Sequence, residues 1–104
     1  LLAFAPTEDR EKMMSQITFD IYTDKTIRSK GELCAEIEKV KARGYAVDAG
    51  ELSEHIRCVA VPVFDNTGKC QYSLGASGAA SRMTKEKIDR IIPLLVKTAE
   101  GIFA

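Results

Sequence analysis

The 104-residue chain lacks net charge, lacks an apolar run long enough to cross a membrane, and has too few cysteines for a disulfide scaffold. Its 15 basic and 15 acidic side chains cancel, which leaves no electrostatic footprint for gripping nucleic acid or an anionic membrane. No stretch approaches the roughly 18 consecutive apolar residues of a spanning helix. Three cysteines at scattered spacing argue for a reducing compartment. An initiator Met is absent, and so is a basic segment leading to a small-residue cleavage site. The expectation is therefore an internal stretch of a longer cytoplasmic protein, with chain missing upstream of LLAFAPTED. Repeats, low-complexity tracts and linker-like segments are also lacking, so a single domain is expected over residues 1–104.

What is present reads as a folded α/β domain. Apolar content of 45% and charged content of 29% suffice for one modest core. The segment PTEDREKMMSQI predicts a short helix with Thr7 as its cap, Glu8 and Asp9 at its positive end, and Met13, Met14 and Ile17 on one face. TFDIYTDKTIR reads as connector. SKGELCAEIEKVKARG is a clearer helix: Ser29 and Glu32 form a capping box, Leu33, Ile37 and Val40 recur at helical spacing with Cys34 beside them, and Gly44 suits a left-handed stop. YAVDA predicts a strand and ELSEHI a loop. A last helix runs from Thr84, with Ile88, Ile91, Ile92, Leu95, Ala99 and Ile102 in one stripe and Pro93 expected to kink it.

Between them, CVAVPVFDNTGKCQYSLGAS predicts a hairpin over residues 57–64 and 70–77, turning at DNTG. Counting outward with Phe64 opposite Lys69 places Val59 against Leu74, Val61 against Tyr72 and Val63 against Cys70. A bulge at Gly68 would change that count. These six side chains make a core face. The opposite face pairs Cys58 with Gly75, Ala60 with Ser73 and Pro62 with Gln71, and Ser77 continues the row. It is small, partly polar and uncharged. Two readings fit it: close packing of a helix or partner chain, or a floor left open for a ligand that hydroxyl and thiol groups orient. Asp48, ten residues before Cys58, stands at its rim, either as a turn residue or as an acceptor for a ligand's donors.

The stretch KARGYAVDAGELSEHIRCVAVPVFDNTGKCQYSLGASGAASRMT resembles the effector-binding domain of the isocitrate lyase regulator (IclR) family of bacterial transcription factors. The resemblance rests on Gly44, Tyr45, Ala46, Asp48, Glu51, Cys58, Ala60, Pro62, Val63, Gly68, Ser77, Gly78 and Arg82, with LLAFAPTED and the closing helix also fitting. It implies a fold similar to GAF and PAS sensors, a curved and mostly antiparallel sheet flanked by helices, here incomplete at its N-terminal side. It further implies a small organic effector, a carboxylic acid, sugar acid or aromatic metabolite, and a homodimer or tetramer. DNA would be bound only through a separate winged helix-turn-helix that this chain does not contain, and no cofactor or membrane is implied. The family's effector contacts carry over onto Asp48, Cys58, Gly75 and Ser77. Family members often carry Ser where Gly75 stands, an acidic residue where Gly50 stands and Gly where His55 stands. The family's glycine-rich loop lies ahead of Leu1.

Three other readings compete. A pure dimerisation module would pack its small face on a partner. A cysteine enzyme would use Cys58 as nucleophile and His55 as base, yet no third orienting residue stands out. A metal site would combine Asp48, His55 and Cys58, at a spacing that matches no standard zinc pattern. No enzyme activity and no metal are expected.

Overall fold

A computed structural model describes residues 1–103, in which three helices surround a three-stranded antiparallel sheet. In chain order the elements are α1 (Thr7–Met14), α2 (Lys30–Arg43), β1 (Ala46–Asp48), β2 (Ile56–Phe64), β3 (Cys70–Ala79) and α3 (Lys85–Gly101). The sheet order is β1-β2-β3, so the central strand β2 carries a neighbour on each side.

Local chemistry sets most boundaries. At the start of α2 the Ser29 hydroxyl accepts from the Glu32 amide at 3.2 Å. The Glu32 carboxylate reaches back to the amide of Arg28 at 2.8 Å, one residue before the partner a capping box predicts. Gly44 ends the helix at φ 84°, a left-handed geometry that a side chain would strain. Thr84 caps α3 by accepting from the Lys87 amide at 3.2 Å. Thr7 does not cap α1: Pro6 holds that position, and the fixed proline φ starts the helix without a side-chain bond. Of the expected α1 face only Met14 is buried, since the helix ends there and Ile17 lies beyond it. α3 runs through Pro93 as one helix.

The two faces of the sheet have different covers. Val59, Val61 and Val63 are almost wholly buried and meet Met83, Ile88, Leu95 and Ala99 from α3 and the turn before it. Ile91 and Ile92 pack at the margin of that core, whereas Ile102, expected in the same stripe, is half exposed past the helix end. On the other side Ala3, Met14, Ile37 and Val40 form a second core with Leu2, Phe4, Leu33 and Ala46. Arg10 ties this layer together, donating to the carbonyls of Leu2 at 2.9 Å and Ala3 at 2.8 Å. Cys34, grouped with that stripe from its spacing, is exposed.

The hairpin register differs from a simple outward count. Val59 lies opposite Ala76, Ala60 opposite Gly75, Val61 opposite Leu74, Pro62 opposite Ser73 and Val63 opposite Tyr72. Two single-residue irregularities cause the two-residue slip. The turn closes between Asp65 and Lys69 with Gly68 at φ 84°, and a bulge then separates Val63↔Tyr72 from Phe64↔Cys70. Because side chains alternate with period two, a slip of two leaves every residue beyond the bulge on its expected face and changes only its partner.

Candidate functional site

The register brings Asp48, Cys58 and Ser77 into one row across the sheet, since Asp48 pairs with Cys58 and Cys58 with Ser77. The next row is Ala46, Ala60 and Gly75. All four residues singled out from the sequence therefore share one face. Cys58 does not oppose Gly75, as the turn-based count predicted; it opposes Ser77, and its Sγ lies 2.9 Å from the Ser77 hydroxyl. The same contact makes Ser77, not His55, the thiol's hydrogen-bond partner.

The two halves of the small face differ in how closely they are covered. Around Ala60 and Ser73 the N-terminal residues Leu1 and Phe4, with Val40 of α2, come close enough to leave a gap of only about 50 Å³. Small side chains at Ala46 and Ala60 permit that approach. Around the Asp48–Cys58–Ser77 row the surface is more open: Cys58 and Asp48 are partly buried, and Ser77 and Gly75 are exposed. A Cβ at Gly75 would stand 3.0 Å from the Val59 carbonyl oxygen and 3.4 Å from the Ala60 Cβ. The glycine thus keeps this part of the floor low.

Asp48 has a structural duty as well. Its Oδ1 accepts from the amides of Gly50 at 3.0 Å and Glu51 at 2.8 Å, closing a turn in which Gly50 adopts φ 103°. The connector between α1 and α2, unremarkable in the sequence, forms a strap against this turn. The Thr23 hydroxyl donates to the Gly50 carbonyl at 2.6 Å, and Thr26 donates to that of Glu51. Between strap and sheet lies a cavity of about 320 Å³ that Phe19, Tyr22, Ile27, Leu33, Asp48 and Glu51 help to line. Its size suits a small molecule. Threonines at both ends of a polar turn, TDKT, were the one sequence signal for the strap. Burial, with Asp48 and then Glu36 nearby, raises the Glu51 carboxyl above its ordinary value.

A wider cleft of about 560 Å³ follows the β2 edge that β1 leaves uncovered, between Phe4, Tyr45, Pro62, Phe64 and Val96. It is mostly apolar, with Arg43 and Glu100 also in its lining, and contains none of the four site candidates. The row carries a carboxylate, a thiol and a hydroxyl side by side. No group of three metal-ligating side chains occurs among the described residues.

Solved structures that superpose on this chain include transcriptional regulators. That of the Thermotoga maritima regulator IclR superposes with a TM-score of 0.88 at 36% identity, covering 95% of this chain and 40% of its own. The C-terminal domain of Escherichia coli KdgR superposes at 0.86 with 28% identity, covering 94% of this chain and 60% of that domain's chain. Among curated proteins, the regulator BhcR of Paracoccus denitrificans is 29% identical over 102 residues, 98% of this chain and 37% of its own length. The family model described as bacterial transcriptional regulator IclR C-terminal matches residues 1–104. The chain belongs to that family. It spans only 33% to 40% of the length of the first three curated relatives, so it corresponds to one part of such regulators. Those three relatives are HTH-type transcriptional regulators.

Proposed function

We propose that this chain is the effector-sensing part of an IclR-type regulator, taking a small organic molecule on the Asp48–Cys58–Ser77 row above Gly75. The observation that carries the reading is the row itself. A carboxylate, a thiol and a hydroxyl from three strands share one row of one face, and the first of them, Asp48, also lines a cavity of small-molecule size. Ser77 donates to a ligand oxygen, Cys58 adds a weak donor, and the free oxygen of Asp48 accepts from ligand hydroxyls. The effector is a carboxylic acid, a sugar acid or an aromatic metabolite. The parent protein works in the cytoplasm as a homodimer or tetramer and reaches its promoter through a separate DNA-binding domain. Binding then shifts a conformational equilibrium that the DNA-binding domain reads.

Thermal denaturation with a panel of organic acids, sugar acids and aromatics tests the proposal. A ligand that binds only the native state raises the melting temperature, by about 2.7 kcal/mol of stability at a hundred times its Kd. At least one compound should do so, and Ser77→Ala should weaken its effect. If the whole panel leaves melting unchanged, a dimerisation module becomes the better account.

A further inference from the structure

The cleft of about 560 Å³ beside Pro62 exists because of the way α2 ends. Ala80 donates its amide to the His55 carbonyl at 2.8 Å, so His55 and every second residue after it along β2 bond to β3. Ala60 and Pro62 turn their backbones to the opposite edge. At Ala60 that edge is covered by Ala46 of β1. Two residues on, the position facing Pro62 falls to Gly44, which the left-handed stop at φ 84° takes out of the ladder. The Pro62 carbonyl therefore opens into the cleft. Proline has no N–H to give, so a further strand would gain little at this edge. The walls suit a ring instead: Phe4 and Phe64 meet edge-to-face at 5.7 Å, with Tyr45 and Val96 beside them. Phe64 and Val96 are both exposed.

Two charged side chains share the lining and differ in what they leave free. Arg43 pairs with Glu36 at 3.2 Å, donates through Nε to the Tyr45 carbonyl at 2.7 Å, and lies 4.8 Å from the centre of the Tyr45 ring. Glu100 has no ion pair among the described residues. The spare hydrogen-bonding capacity is therefore for accepting, at the Glu100 carboxylate and the Pro62 carbonyl. An acidic ligand would find Arg43 already neutralised and Glu100 repelling it. We infer that this cleft is a second small-molecule site, which takes an uncharged aromatic bearing a hydroxyl, a phenol. Its ring packs among Phe4, Tyr45 and Phe64, offset or edge-on, and its hydroxyl donates to Glu100 or to the Pro62 carbonyl. The volume lies within the usual range for such sites. No residue of the row or of the strap cavity lines the cleft, so the two sites fill independently. With Phe64 and Val96 open to water, the phenol binds more weakly than a ligand that a closed pocket surrounds.

Calorimetric titration of 2-naphthol into the 104-residue chain and into the full-length regulator tests this, with 2-naphthoate as the charged match. 2-Naphthol should bind both proteins. Val96→Trp, which fills the cleft from α3, should weaken that binding at least tenfold, while Ser77→Ala leaves it unchanged. Phe64→Ala removes one wall at an exposed position and should weaken it severalfold, which keeps the test open if the Trp variant does not fold. Any binding of 2-naphthoate should be indifferent to Val96→Trp. No heat with 2-naphthol in either protein overturns the inference. So does binding to the short chain alone, because further polypeptide of the regulator would then occupy the cleft. Binding that fades as the protein concentration rises gives the cleft to a second copy and equally overturns it. Loss of 2-naphthol binding in Ser77→Ala with none in Val96→Trp would move the phenol to the row. If 2-naphthoate is the compound that Val96→Trp displaces, the cleft takes acids and the assignment of a phenol falls.

Discussion

Asp48 has two separable duties, and paired substitutions pull them apart. Its Oδ1 holds the amides of Gly50 and Glu51 at 3.0 and 2.8 Å, in a turn that the strap threonines also grip. Asp48→Ala deletes both bonds at a half-buried position. Hydrogen bonds to a charged group contribute about 1.5–3 kcal/mol each when fully effective. Here water can replace part of the loss, so the pair together is worth about 2 kcal/mol. For a domain of this size that corresponds to a fall of roughly 10 °C in melting temperature. Asp48→Asn keeps an oxygen at the same place and should cost less than about 1 kcal/mol. Urea denaturation gives both values, with the slope checking that unfolding stays two-state. For ligand binding, the Asn variant should discriminate against effectors whose hydroxyl donates to the carboxylate, even though its fold is intact. Equal stability loss in the Ala and Asn variants would refute the argument that the side-chain oxygen holds the turn.

Further expectations follow from single residues. Glu51 has its folded-state pKa raised, first by burial and then by Asp48 and Glu36, so its ionisation opposes folding. The stability it contributes is complete below the unfolded value and is lost as pH rises through the folded value. Glu51→Gln should therefore stabilise the protein at pH 7 and lose that advantage under acid, as melting curves across pH 3–8 would reveal. Val61→Ala, at a side chain 2% exposed beneath α3, should cost about 2 kcal/mol in chemical denaturation. Gly78→Ala places a Cβ 2.7 Å from the Met83 Cγ, a contact that forces that flexible side chain aside, and should lower the melting temperature measurably. Gly75→Val should leave the fold intact on this exposed strand, after a small shift from the Val59 carbonyl, while raising the floor enough to cut ligand binding at least tenfold by calorimetry.

How far the sequence could be read depended on the range of the interactions. Helix ends with a local signature were legible: Ser29, Gly44 and Thr84 act as their neighbours predict. Thr7 misled because Pro6, one residue earlier, starts a helix equally well. The sheet faces were legible from alternation, and the strand partners were not, since Gly68 and the bulge beside Phe64 each inserted one residue. That cost the correct partner of Cys58 but kept the four site candidates together. The closeness of Leu1 and Phe4 to Ala60, and of Thr23 and Thr26 to the turn after Asp48, joins positions more than twenty residues apart. Beyond the threonines of TDKT, local composition does not encode such contacts. The apolar cleft beside Val96 went unseen for the same reason.

The central claim is that effector binding uses the Asp48–Cys58–Ser77 row. Amide and side-chain NMR shifts, recorded as the most stabilising compound from the thermal panel is titrated in, test it most directly. The account predicts the largest changes at Asp48, Cys58, Gly75 and Ser77, with smaller ones along the strap at Tyr22 and Thr23. Changes centred on Phe4, Phe64 and Val96 in the apolar cleft, with the row unmoved, would contradict it.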